Sequence, residues 1–264
     1  LRASSGSGLR SSRRALMLSA YRALAAQFPP LGMARKDGLL CAGGDLAPAR
    51  VLAAYVLGIF PWYEQGLPVL WWSPDPRCIM PLESFHLPER SRRALRQKAF
   101  TITLDAAFGR VIRACAAPRK KSAGTWIIPE MIRAYSRLFD LGYAHSVEVW
   151  DGENLAGGLY GIALGKAFFG ESMFHAVPEA SRAALAALVS LLRLRGATLL
   201  DCQQETPHIM QMGGCTVPRP HFLSLLQEAL ERPAGEDKTQ AFPWHPWEKA
   251  YVYSAESGSW AAKS

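Results

Sequence analysis

The alternation of apolar and polar residues is clearest in the middle of the chain. Three consecutive segments there, HSVEVW, ENLAGGLYGIAL and AFFGESMFH, have the composition of strands and are separated only by short turns that contain DG and GK. Asp-Gly is a strong hairpin signal, and such short gaps join antiparallel neighbours. The pattern therefore predicts an antiparallel meander between His145 and His175.

Helical patterns flank this meander, together with two further strands. The predicted strands are 100–104 (FTITL) and 198–203 (TLLDCQ). Two of the predicted helices are 178–195 and 219–230. Two others have an aspartate as N-cap: 46–57 with Asp45, and a helix capped by Asp105 that ends at Ala117. The fifth starts at Pro129, and its apolar face holds Ile132, Tyr135, Leu138 and Phe139. A meander followed by helix, strand and helix predicts an α+β fold with a mainly antiparallel central sheet.

Composition shifts divide the chain into four parts. Residues 1–36 hold seven Arg or Lys and no acid, and we expect a disordered basic extension. Its residues 1–30 resemble a transit peptide or an upstream stretch from a misplaced start. Residues 37–76, rich in Gly, Pro and Trp, predict a small N-terminal domain. Residues 77–232 form the main domain, and residues 233–264 a C-terminal tail whose aromatic residues could dock on the body.

Bulk composition excludes several classes of protein. The chain has 264 residues, 49% of them hydrophobic, yet no apolar run approaches the ~20 residues of a membrane span. The five cysteines form no C-x-x-C pair, and the set Cys202, His208 and Cys215 matches no zinc spacing, so we expect free thiols in a reduced compartment and no metal. No Walker loop, dinucleotide fingerprint or defensible His–Ser or His–Cys nucleophile site is present.

The net charge of +8 is concentrated in two places. Residues 37–264 hold 23 basic and 22 acidic residues, and ten of those basic residues lie within 86–125 beside only two acids. This basic island fits either a docking site for a polyanion or a solvated helix face. Its members at the two ends are Arg90, Arg92, Arg93, Arg96, Lys98, Arg119, Lys120 and Lys121.

Two carboxylates stand in otherwise apolar strands. Glu171 lies in the middle of AFFGESMFH, and Asp201 lies in TLLDCQ. Burying a carboxylate without a partner is costly, so each needs a role: either a small-ligand pocket or a buried pair with Arg or backbone N–H groups. Strand alternation predicts two shared faces, Phe169 with Glu171 and Met173, and Leu199 with Asp201 and Gln203.

Eight blocks of sequence resemble the leucyl/phenylalanyl-tRNA–protein transferase family. They run in order from about Gly38 to Leu230 without large gaps, so the resemblance is specific. The blocks are GLLCAGGDLAPARVLAAYVLGIFPW, LWWSPDPR, GTWI, GYAHSVEVW, GGLYG, FFGESMF, LLDCQ and MGGCTVPRPHFLSLL.

The resemblance implies an enzyme that moves Leu or Phe from Leu-tRNA or Phe-tRNA to the N-terminal Arg or Lys of a protein, marking it for N-degron degradation. It implies a GNAT-like acyltransferase domain over residues 77–232, no cofactor, and a monomer in the cytoplasm; organelle targeting by the N-terminus is the alternative. Because some relatives carry larger or more flexible residues at the positions of Leu159 and Leu188, the balance between Leu and Phe stays open.

The resemblance also assigns roles to residues of this chain. The basic island is expected to contact the tRNA acceptor arm. The catalytic centre would consist of Glu171, Asp201 and Gln203. The aminoacyl pocket would be formed by Leu159, Phe168, Met173, Leu185 and Leu188. The aromatic residues near the tRNA 3′ adenosine would be Tyr55, Trp62 and Trp126, unless these pack in the core.

Two other functions compete with this one. An acyl-CoA N-acyltransferase on the same fold would need a Q/R-x-x-G-x-G/A turn before a helix, and the sheet region has none. A non-catalytic tRNA- or peptide-binding module would explain the basic island but not the two carboxylates on the strands.

Overall fold

The computed structural model describes residues 25–117 and 127–230, together with the backbone of two short strands, Tyr251–Ser254 and Ser259–Ala262. Most of the basic N-terminal extension therefore lies outside the described residues. So do Trp126 and the part of the basic island formed by Arg119, Lys120 and Lys121.

The described chain alternates short strands with helices. The strands are β1 (Leu39–Ala42), β2 (Phe60–Pro61), β3 (Leu70–Trp72), β4 (Arg77–Ile79), β5 (Thr101–Leu104), β6 (Ala144–Asp151), β7 (Asn154–Leu164), β8 (Ala167–His175), β9 (Leu199–Gln203), β10 (Cys215–Val217), β11 (Tyr251–Ser254) and β12 (Ser259–Ala262). The helices are α1 (Pro48–Val56), α2 (Glu89–Arg96), α3 (Phe108–Ala116), α4 (Pro129–Asp140), α5 (Ala180–Leu194), α6 (Pro207–Met210) and α7 (Arg219–Leu230), with 3₁₀ turns at Leu31–Met33 and Leu82–Ser84.

Two sheets organise the fold. Strands β1, β3 and β2 form a small antiparallel sheet, and the larger sheet has the order β10-β4-β9-β8-β7-β6-β5-β11-β12. In the larger sheet every described pairing is antiparallel except that of β8 with β9. The predicted α+β class, the mainly antiparallel sheet and the meander β6-β7-β8 are confirmed. The tail contributes β11 and β12 at the edge beyond β5.

Both predicted helix caps are wrong, because each aspartate accepts hydrogen bonds from other donors. The α1 helix begins two residues later than expected, and Asp45 accepts from the backbone N–H of Ala47 (2.9 Å) in a turn that precedes it. Asp105 has a left-handed backbone (φ 57°) and accepts from the N–H of Ser146 and from His145, each at 2.8 Å.

The start of α3 is instead held by Glu148, a fully buried residue of β6. Its carboxylate accepts from the N–H groups of Ala106 (3.4 Å) and Ala107 (3.3 Å) and from the hydroxyl of Thr103 (2.6 Å). A carboxylate suits a helix N-terminus, where N–H groups lack partners within the helix. Burial raises the pKa of Glu148, and its hydrogen bonds oppose that rise.

Helices cover the larger sheet on both faces. One face packs against α1, α3, α4 and α7 in a cluster that includes Tyr55, Tyr135, Tyr160 and Phe169. The other face packs against α5 and Leu95 of α2. None of the described helices is long and apolar enough to span a bilayer.

The β7–β8 pair contains a bulge that sets the position of the later polar residues. Gly161 lies opposite Gly170 and Tyr160 opposite Ser172, so Glu171 is the extra residue. A Cβ at Gly161 would overlap the carbonyl oxygen of Phe169 and the ring of Phe168. The close approach of the two strands at the bulge therefore requires glycine.

We expect Gly161→Ala to destabilise the fold by about 2–3 kcal/mol, because the added methyl must displace backbone as well as a ring. For a chain of this size that corresponds to a drop of roughly 5–10 °C in Tm, measured by thermal unfolding. Gly32→Ala is the matched control, since nothing lies within 4 Å of its added Cβ. An equal Tm for the two variants would contradict this role of Gly161.

Candidate active site

The main cavity opens where β8 and β9 separate. These parallel strands pair only through Ala167–Phe169 and Leu199–Asp201, and beyond that point they diverge. The space between them, about 1330 Å³, is lined by residues of both strands and by the start of α5. Diverging strands leave a cleft between them, and a mostly apolar cleft with a few polar groups is where ligands commonly bind.

The bulge changes which β8 residues share a face. Phe169 belongs to the core cluster of Tyr55, whereas Met173 packs against the opposite cluster. The predicted common face of Phe169, Glu171 and Met173 is therefore wrong, because the extra residue reverses the alternation. In consequence Glu171 and Met173 approach the same cavity from different sides of the strand.

Glu171 is partly open to the cavity and is held by three neutral donors. Its Oε1 accepts from the Tyr55 hydroxyl (2.6 Å) and from Gln203 Nε2 (3.2 Å), and its Oε2 accepts from the Tyr135 hydroxyl (2.9 Å). The two tyrosine oxygens lie 2.6 Å apart, so one hydroxyl donates to the other only when it is not donating to Glu171. One carboxylate thus joins α1, α4, β8 and β9.

The environment of Glu171 shifts its acidity. Burial raises its pKa to about 7 despite the two tyrosine hydrogen bonds, which lower it; Asp201 adds a smaller rise, and Arg77 a smaller decrease. Burial likewise raises the pKa of Tyr55 and Tyr135 well above the usual value, with a further contribution from the neighbouring carboxylate. The cavity therefore contains a carboxyl group that can exchange protons near neutral pH.

Asp201 and Gln203 occupy different positions relative to the cavity. Gln203 lines it, while Asp201 is fully buried behind it and forms two hydrogen bonds with Arg77 (2.9 and 2.6 Å). Sequence reasoning missed Arg77 and the hydroxyl of Tyr135 as site residues. One signal was present, since Arg77 is one of only two basic residues in 37–85 and follows an apolar, Trp-rich stretch.

The apolar wall includes most of the residues predicted for the aminoacyl pocket. Four of them line the cavity: Leu159, Met173, Leu185 and Leu188. The fifth, Phe168, is buried at 1% exposure in the core cluster behind that wall and does not line the cavity.

Two of the three aromatic residues predicted near the tRNA 3′ end, Tyr55 and Trp62, are among the described residues. Tyr55 is fully buried, so its ring packs in the core and its hydroxyl serves Glu171. Trp62 is partly buried, lines the cavity and lies near Trp72, with ring centroids 5.4 Å apart. Of this group, Trp62 is the described residue whose ring is available to a ligand in the cavity.

The described part of the basic island is a surface feature. On α2, Arg90, Arg92, Arg93 and Arg96 are exposed, while Ser91 and Leu95 face the core. Arg92 and Arg93 both pair with Glu89. Lys98 lies over the ring of Phe100 (5.6 Å).

Cysteine and histidine residues also line part of the cavity. Cys202, His175 and His208 contribute to the lining. His145 is instead buried beside Asp105. Within 25–117 and 127–230, no group of three or more His, Cys, Asp or Glu side chains is arranged to hold a metal ion.

We expect Glu171→Gln to remove a pH dependence of stability. The folded-state pKa is raised from 4.5 to about 7, so the folded protein binds the proton more tightly than the unfolded chain between these values. Stability of the wild type should therefore fall, relative to Glu171→Gln, as pH rises through this window. Thermal unfolding of both proteins from pH 5 to 8 measures the difference, and parallel curves would contradict the raised pKa.

Comparisons with known proteins point to one family. A family model described as "Leucyl/phenylalanyl-tRNA protein transferase" matches residues 79–227, and one for the N-terminal domain of that transferase matches residues 44–75. A curated protein of Nitratidesulfovibrio vulgaris (strain DP4), named leucyl/phenylalanyl-tRNA–protein transferase, is 54% identical over 78% of this chain and 89% of its own. Proteins of the same name from Syntrophotalea carbinolica and Lawsonia intracellularis are 52% and 49% identical, over 82% and 85% of this chain and 94% and 99% of their own.

A solved structure, that of L-PGS from Bacillus licheniformis, aligns at 11% identity with a TM-score of 0.36, covering 69% of this chain and 70% of its own. That likeness is too loose to bear on the fold or the function. The two family models and the curated relatives suffice: the chain belongs to the leucyl/phenylalanyl-tRNA–protein transferase family.

Proposed function

We propose that this protein transfers leucine or phenylalanine from aminoacyl-tRNA to the N-terminal arginine or lysine of acceptor proteins, which marks them for N-degron degradation. The observation that carries the proposal is the position of Glu171, whose carboxylate lies beside the apolar wall of the cavity. The chain is also about half identical to the named transferases. The carboxylate suits an amine, and the wall suits an apolar side chain.

The apolar wall is the binding site for the side chain of the transferred amino acid. Leu159, Met173, Leu185 and Leu188 offer a slot that an unbranched or aromatic side chain enters more easily than a β-branched one. Selection by shape of this kind yields ~1–3 kcal/mol per methylene, so discrimination between donors is finite.

The polar side of the cavity aligns the acceptor amine. Glu171 holds the amine, and because the amide nitrogen of Gln203 donates to Glu171, the carbonyl oxygen of Gln203 is the group that accepts from that amine. The donor ester is already activated, so the reaction needs alignment and tolerance of an oxyanion. The C–N bond forms as the C–O bond to the ribose breaks, and the proton lost by nitrogen balances the one gained by the ribose oxygen.

The tRNA lies along the basic island with its 3′ end in the cavity. Trp62 stacks on the terminal adenosine, as aromatic side chains do with single-stranded bases, and Trp126 shares this role. Ala117 lines the cavity, and Arg119 follows it by only two residues along the chain. The cationic segment 119–121 therefore follows a cavity-lining residue closely along the chain.

The same proposal includes the organisation and setting of the protein. Residues 37–76 form the small N-terminal domain, 77–232 a GNAT-like acyltransferase domain and 233–264 a tail, and the basic extension 1–36 precedes them. The GNAT-like assignment is supported by a largely antiparallel sheet with one parallel pair that separates around the cavity. The protein acts as a monomer in the cytoplasm, without a cofactor.

A transfer assay tests the proposed function. Purified protein is mixed with Phe-tRNA or Leu-tRNA and a peptide with N-terminal Arg; a peptide with N-terminal acetyl-Arg is the control, and acetyl-CoA replaces the tRNA in a third reaction. Transfer is expected only with aminoacyl-tRNA and the free amine. Transfer from acetyl-CoA would indicate an acyl-CoA enzyme, and tRNA binding without turnover a binding module.

In that assay Met173→Ala should slow transfer from both donors about tenfold, because it removes contact area from the apolar wall, while tRNA binding persists. The binding constant and the single-turnover rate are measured separately. Unchanged rates for both donors would show that the amino acid binds elsewhere.

Replacing Arg92, Arg93 and Arg96 with Ala should weaken tRNA binding and reduce the slope of log K against log[salt] by about 2–3, since each phosphate contact contributes roughly 0.7–0.9. Filter binding over a series of salt concentrations measures this slope. Arg133 and Arg137, which are exposed on α4 outside the basic island, give a control double variant. The same slope in the triple variant as in the wild type would identify the island as a solvated surface.

A further inference from the structure

Arg77 of β4 is fully buried and contacts residues of β2, β9 and α7. Its guanidinium lies between the rings of Phe60 and Phe222, 4.8 and 4.5 Å from their centroids, and donates to the carbonyl oxygen of Gly58 (3.2 Å). Its remaining hydrogen bonds are the two parallel ones to Asp201. Such a fork fixes both groups in one relative orientation.

Asp201 passes this orientation on to Gln203. Its Oδ1, besides accepting from Arg77, accepts from the backbone N–H of Gln203 at 2.9 Å. Gln203 has a left-handed backbone (φ 57°), which is unfavourable for a residue with a side chain and persists only where surrounding contacts impose it. In that conformation its amide lines the cavity and donates to Glu171 at 3.2 Å.

We propose that Arg77 is a positioning residue for the transfer reaction, acting through Asp201 to hold Gln203 in its left-handed conformation at the cavity. This inference rests on the proposed function. It also assigns Asp201 a positioning role, because its oxygens are engaged by Arg77 and by the Gln203 backbone, and it does not line the cavity.

A double-mutant cycle separates positioning from stability. Arg77→Lys keeps the charge but loses the parallel fork, and Gln203→Gly removes the amide while allowing φ 57° at no steric cost. Single-turnover transfer with saturating enzyme is expected to be at least tenfold slower in Arg77→Lys than in the wild type. In the Gln203→Gly background the same exchange should slow transfer no further, although it still lowers Tm.

Equal slowing by Arg77→Lys in both backgrounds would overturn the inference, because Arg77 would then act independently of Gln203. A wild-type rate in Arg77→Lys would overturn it as well. Arg50→Lys, which alters an arginine paired with Asp45 in the N-terminal region, is the matched control and should leave the rate unchanged.

A second measurement does not depend on transfer at all. Carbon-13 NMR titration of the Glu171 carboxyl group, assigned with Glu171→Gln, reports whether Gln203 still donates to it. The pKa of Glu171 should rise in Arg77→Lys towards its value in Gln203→Gly, since both changes remove a donor from the carboxylate. An unchanged, wild-type pKa of Glu171 in Arg77→Lys would overturn the inference, whether or not the protein transfers an amino acid. Absence of any transfer by the wild type would refute the proposed function instead.

Discussion

The desolvation of one carboxylate is the constraint on which the site depends. Glu171 lines a mostly apolar cavity, where a charged group without partners would cost several kcal/mol. Tyr55, Tyr135 and Gln203 supply hydrogen bonds, and none of them supplies a charge. The carboxyl group is therefore stabilised enough to be buried but keeps a pKa of about 7. Because its partners come from α1, α4 and β9, the site also joins the N-terminal region to the larger sheet.

The bulge in β8 is the backbone feature that lets this carboxylate serve an apolar slot. In a regular strand Glu171 and Met173 would point to the same side, and the polar and apolar walls could not both be built from one strand. The extra residue turns Glu171 towards the tyrosines and Met173 towards Leu159 and the helix α5. A reacting amine and an apolar side chain can thus be bound next to each other.

Periodicity predicted the elements of the fold better than their junctions. The meander and the helix 219–230 are regular enough for local pattern to define them, and both are confirmed. The bulge at Glu171 has no periodic signal, since it depends on how closely two backbones approach at Gly161. The partner of Asp201 could be anticipated only as some arginine, because Arg77 is 124 positions away along the chain. The role of Asp105 was missed for the same reason: His145 competes for it from another strand.

The two acidic residues of the site differ in what faces them. Asp201 meets a guanidinium and is sealed from the cavity, whereas Glu171 meets neutral donors and is open to it. With the proposed function, Glu171 is the carboxyl group nearest the acceptor amine. Its pKa of about 7 lies close to the ~7.7 of an α-amino group. A difference below one unit corresponds to about 1 kcal/mol, so a proton can move from the ammonium to Glu171 at little cost. Replacing the neutral donors with a guanidinium would hold the carboxylate in its charged form and remove that match.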